Sequence, residues 1–100
     1  MNTRLEELIS AVGEEAEEHL ENILVELLQA RVRLPDWPRD PVHASAFVNE
    51  EAGELTQAAL GFYCLGGGTV RMDAGGVRTA AAALRFLMHL GGYRQKCRQP

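Results

Sequence analysis

Asn49-Glu50-Glu51-Ala52-Gly53-Glu54-Leu55, taken with the later run Arg78-Thr79-Ala80-Ala81-Ala82-Ala83-Leu84-Arg85-Phe86-Leu87, decides how this chain folds. The first stretch lies in a helix whose Ala44, Phe47, Val48, Ala52, Leu55, Ala58, Ala59 and Phe62 make one apolar arc at helical spacing. Glu51 falls inside that arc, Glu54 at its edge, and Glu50 toward the polar side shared with His43. A carboxylate in an apolar seam must be paired, ligated or protonated, because leaving it alone there costs several kcal/mol. The second stretch is apolar on two sides, with Val77, Ala80, Ala81, Leu84, Leu87 and Met88 opposite Thr79, Ala82, Ala83, Phe86 and Leu90. Its polar stripe is Arg78, Arg85 and His89, and its small residues permit close helix approach. Two apolar faces in a short chain predict that a second protomer completes the bundle.

Working outward, the punctuation predicts an all-α chain of three helices, at about 3–32, 41–63 and 73–90. The first opens on Thr3-Arg4-Leu5-Glu6, a capping-box pattern, and carries Leu5, Leu8, Ile9, Val12, Ala16, Leu20, Ile23, Leu24, Leu27 and Leu28 at steps of three and four. Gly13 is its weak point, a place to bend or split. Pro35, Pro38 and Pro41 force an elbow around Trp37, since each removes a donor and biases its predecessor to extended backbone. Asp40-Pro41 reads as an N-cap and first helical residue. Leu65-Gly66-Gly67-Gly68-Thr69 ends that helix, Asp73 or a neighbour starts the next, and Gly91-Gly92 stops it.

A chain of 100 residues makes one domain, 1–100, and buries modest surface by itself. It has no apolar run of about 18 residues and no signal-peptide layout, so the expectation is a cytoplasmic protein that does not enter a membrane. Net charge is −4, and Glu6, Glu7, Glu14, Glu15, Glu17, Glu18, Glu21 and Glu26 crowd the start of the chain, which argues against nucleic acid as a partner. Arg94, Lys96 and Arg98 form a short basic tail. Cys64 and Cys97 lack metal-type spacing and read as free thiols. Gly66-Gly67-Gly68 is no P-loop, because no Gly-Lys-Ser/Thr follows it.

The Pro-Trp elbow, Asp40-Pro41-Val42-His43-Ala44, the Glu-Glu-x-x-Glu-Leu run and the alanine-rich Leu-Arg-Phe-Leu helix occur in this order in MazG-like proteins. The chain resembles that family, part of the all-α nucleoside triphosphate pyrophosphohydrolase superfamily, from about Leu34 to Leu90. The resemblance implies a helical bundle completed by homodimer or homotetramer formation, and a magnesium-dependent conversion of a nucleoside triphosphate to monophosphate and pyrophosphate. It makes Glu51 and Glu54 metal ligands and Glu50 a catalytic residue that helps bind metal or orient water. His43, Trp37 and Arg78 are the substrate-binding candidates, His43 for a phosphate or a base and Trp37 for stacking on a nucleobase. Several carboxylates are required because magnesium is a hard octahedral ion and the triphosphate charge must be neutralised.

The chain departs from the family at the second acidic pair, where Gly75 and Arg78 stand at the expected positions and Asp73 is the nearest acid. Two readings stay open. One is a pyrophosphohydrolase that draws a further acid from Asp73 or a partner subunit. The other is a non-catalytic interaction and oligomerisation module in which Arg78 or Arg85 pairs with Glu51 or Glu54 in place of metal. An unrelated three-helix adaptor accounts for the composition but leaves Glu51 unexplained.

Overall fold

The structure, a computed structural model, describes residues 3–96. Cys97 and Arg98, read above as a thiol and part of a basic tail, lie outside the described residues. Every regular element is helical: α1 (Thr3–Val12), α2 (Glu15–Arg33), α3 (Pro41–Leu65), α4 (Val70–Met88) and a short 3-10 turn (Leu90–Gly92). None of these helices is long and apolar enough to cross a membrane.

The first predicted helix is therefore two. Gly13 sits at φ +139°, outside the range of a right-handed helix, and the chain restarts as α2. Acids open α2 (Glu15, Glu17, Glu18) and arginines close it (Arg31, Arg33), the order that complements a helix dipole. At α3 the expected cap forms, with the Asp40 carboxylate accepting from the backbone N–H groups of Val42 at 2.8 Å and His43 at 3.3 Å, and Pro41 in the first helical turn. The helix runs two residues beyond the expected Tyr63, to Leu65, and stops at Gly66 in the left-handed region, φ 68°. The last helix is displaced toward the N-terminus from the expected 73–90. Thr69 precedes its first residue, its carbonyl accepts from Asp73 N at 2.9 Å, and the chain tightens into the 3-10 turn after His89.

Helix α4 is the centre of the molecule. It packs against α3 along one side and α2 along another, whereas α2 and α3 do not pack on each other and α1 meets only α2. The two sides of α4 thus find neighbours within the chain along much of their length, while Leu87 and Met88 at its end and Leu90 just beyond stay 56–58% exposed. Ala44 and Ala58 of α3, Ala81 of α4 and Leu27 of α2 are buried. The helices approach closely at Gly75, where a Cβ would lie 3.1 Å from the Cα of Leu55. A side chain there would crowd the α3 backbone, and Leu55 would have to give by a few tenths of an ångström.

The elbow between α2 and α3 is pinned by aromatic contacts. Trp37 Nε1 donates to Tyr93 Oη at 2.9 Å, and that hydroxyl donates to the carbonyl of Phe86 at 3.0 Å. The Trp37 ring lies 5.6 Å from Phe47 and stacks on His89 at 5.9 Å. Arg94 N donates to Arg39 O at 2.8 Å, so the segment after α4 returns to the elbow.

Much apolar surface stays outside. Leu24, Val25, Leu28, Val32 and Val12 are 51–81% exposed, and the radius of gyration is 16.2 Å. A compact 100-residue domain has a radius of gyration of about 13 Å.

Candidate functional site

Because α2 and α3 both lean on α4 without touching, a cleft opens between them with α4 as its floor. Its volume is about 210 Å³. Glu26, Ala30 and Arg33 of α2 form one wall, and Phe47, Glu50 and Glu51 of α3 the other. Arg78, Ala81 and Arg85 line the floor, and Trp37 and Leu34 of the elbow also border the cleft.

Of the residues singled out in the sequence, Glu50, Glu51, Trp37 and Arg78 line this cleft, while Glu54 and His43 do not. Glu50 and Glu54 are exposed. His43 is exposed too, its ring stacked on Phe47 at 5.5 Å. Asp73 opens instead on a neighbouring depression between α2 and α4, with Asn22, Gln29 and Val77. Among the described residues, no group of three or more His, Cys, Asp or Glu side chains comes together as a metal-holding set.

Glu51 meets Arg78, with Oε2 3.3 Å from the guanidinium Nε. That oxygen is cut off from solvent and accepts no hydrogen bond, so the contact is ionic without the directional bond that would stabilise it fully. The Glu51 carboxyl is consequently held above its ordinary pKa. Burial is the main cause and Glu54 the next, and together with Glu50 and Glu26 they outweigh the opposing pull of Arg78.

This has a testable sign. A carboxyl that is easier to protonate in the folded chain contributes stability that is full below its unfolded pKa and is lost as pH rises through its folded pKa. Glu51→Gln is therefore expected to be more stable than the parent at neutral pH, by on the order of 1 kcal/mol, because the amide carries no charge to bury. The gain should shrink toward the acid side of the ordinary carboxylate range. Urea unfolding of both proteins across that interval reads the difference, and a variant that is less stable at neutral pH would contradict it.

Arg85 behaves differently from its place on the expected polar stripe. It is only 4% exposed, and its guanidinium donates to the carbonyl of Leu34 at 2.7 Å and to that of Ala30 at 3.5 Å. Those carbonyls end α2, so the counter-charge of this buried cation is a helix C-terminus. The guanidinium also lies 4.8 Å from the centre of the Trp37 ring, while its Nε has no hydrogen-bond partner. Burial, and then the like charge of Arg31, lowers its pKa, yet an arginine stays protonated.

The sequence reading missed Glu26 and Arg33, which face each other at 2.6 Å on the cleft wall. Their seven-residue separation was the available signal, since it returns a helix to nearly the same face. Compared with known proteins, the chain matches no family model, no curated protein and no solved structure at a significant level.

Proposed function

We propose that the chain is a MazG-like helical protomer that has given up nucleotide hydrolysis and serves as an assembling interaction module. The observation that carries the proposal is the pairing of Arg78 with Glu51, at the position where the family resemblance expects a second acidic or amide side chain. Gly75, the other expected position, adds weight, because glycine brings no donor side chain and sits close against Leu55. Two magnesium ions need more oxygen donors than Glu51 and Glu54 supply, and an arginine in the cleft raises the cost of bringing a cation in. The donor set does not fit the metal centre of the family.

The reading as an active hydrolase retains one supporting observation, the buried Glu51 Oε2 that accepts no hydrogen bond. Calorimetric titration of magnesium and manganese into the parent chain and into Glu51→Gln separates the two. The expected result is the same small, non-saturating heat for both proteins. Saturable binding by the parent that Glu51→Gln lacks would restore the metal site and overturn the proposal.

A further inference from the structure

Helix α2 carries a second apolar ridge beside the one it buries on α4. Leu20, Leu24 and Leu28 follow one another at four-residue steps and are 38%, 53% and 63% exposed. Such i, i+4 rows are the ridges that pack into the grooves of a facing helix. Glu17 lies three residues before this row and Arg31 three residues after it, both exposed and both on its side of the helix. The series 17, 20, 24, 28, 31 reads the same in either direction about Leu24.

A ridge with that symmetry is complementary to itself when turned end over end. About a two-fold axis at Leu24, Leu24 meets Leu24 of the copy, Leu20 meets Leu28, and Glu17 meets Arg31 twice over. That is the self-matching pattern of an isologous interface. The charges agree with it: the N-terminal half of α2 is acidic and its last turn basic, so an antiparallel pair places opposite signs together while a parallel pair opposes like signs. Arg33 is taken by Glu26 and Arg78 by Glu51, and among the described residues no ion pair involves Arg31. The charge of Arg31 also acts unfavourably on the buried Arg85, and a carboxylate from outside would offset it.

The surface area points the same way. The chain exposes 7805 Å². A compact monomer of 11.0 kDa exposes about 5,600 Å². The excess of roughly 2,000 Å² per chain matches the share each subunit contributes to a large obligate homodimer interface. Helix α1 adds further exposed apolar surface, with Leu5, Leu8 and Val12 46%, 44% and 77% exposed and no buried residue.

We propose that two copies of this chain pair through antiparallel α2 helices, with the two-fold axis at Leu24 and the register set by reciprocal Glu17–Arg31 ion pairs. This deepens the function proposed above, resting on the assembly part of that reading and not on the loss of hydrolysis. Sedimentation equilibrium on the full chain tests it, with circular dichroism on each variant to establish that the helices persist. The parent is expected at twice its 11.0 kDa mass and Leu24→Asp at the monomer mass. Glu17→Arg and Arg31→Glu should each weaken the dimer about tenfold or more, and the double exchange should recover most of that loss. A monomeric parent would overturn the assembly reading itself and leave the ridge to a different protein. A dimer unaffected by Leu24→Asp would leave assembly standing and overturn this surface. Loss in Leu24→Asp without recovery in the double exchange would overturn the antiparallel register.

Discussion

Arg85→Met is expected to lower the unfolding free energy by about 3 kcal/mol, a large share of what a domain this small possesses. Methionine keeps an apolar stem of similar length, so the change isolates the guanidinium. What is lost is a charge-assisted hydrogen bond to Leu34 O at 2.7 Å, the longer contact to Ala30 O, and the stacking over Trp37. Hydrogen bonds to charged groups contribute about 1.5–3 kcal/mol and a desolvated cation over a ring up to about 2. Ala30 O retains its bond from Leu34 N, whereas Leu34 O loses the partner described here. Removing a buried charge often helps stability when its partners leave with it, but here the end of α2 stays behind with its own partial charge. Urea unfolding of Arg85→Met beside the parent measures the loss. Equal midpoints would mean that Arg85 does not join α4 to the end of α2.

Gly75→Glu, which puts an acid where the family resemblance expects one, should destabilise the chain by about 3 kcal/mol or more and confer no metal binding. Its Cβ would stand 3.1 Å from Leu55 Cα and 3.3 Å from Leu55 Cβ. Backbone yields less readily than a flexible side-chain tip does, so α3 and α4 would have to shift apart by a few tenths of an ångström where they pack. Gly76→Glu is the control. It has nothing within 4 Å of a built Cβ and should gain up to about 0.5 kcal/mol from leaving glycine in a helix. A Gly75→Glu protein as stable as the parent, with saturable manganese binding, would mean that the site lacks only an acid.

The helical character of the chain was legible because apolar spacing, Asp40-Pro41 and the glycines at 66–68 all act locally. Gly13 was legible as a place to bend or split, but the choice between the two was not, because whether a glycine bends or interrupts a helix depends on how the two pieces pack. Glu51 stood out by its place in an apolar arc, and it is indeed a carboxylate with a solvent-shielded oxygen. Arg78 and Arg85 were both candidates to meet it, and sequence alone offered no choice between them. They lie seven residues apart on α4, but the elbow brings the end of α2 over Arg85 and leaves Arg78 facing α3. That division depends on the path of the chain through Pro35, Trp37 and Pro38, which no periodicity encodes. The crossing at Gly75 was hidden for the same reason: an alanine-rich, glycine-bearing helix announces close approach without saying which residue it approaches.

Pyrophosphate release from a mixture of nucleoside triphosphates, followed with magnesium and then with manganese, is the measurement on which the proposed function most directly turns. With Arg78 against Glu51 and glycine in place of an acid at position 75, the parent chain should release pyrophosphate no faster than the buffer blank, and Glu51→Gln should be indistinguishable from it. Metal-dependent release by the parent that disappears in Glu51→Gln would contradict the proposal, and would require Arg78 to leave the carboxylate whenever nucleotide and metal arrive together.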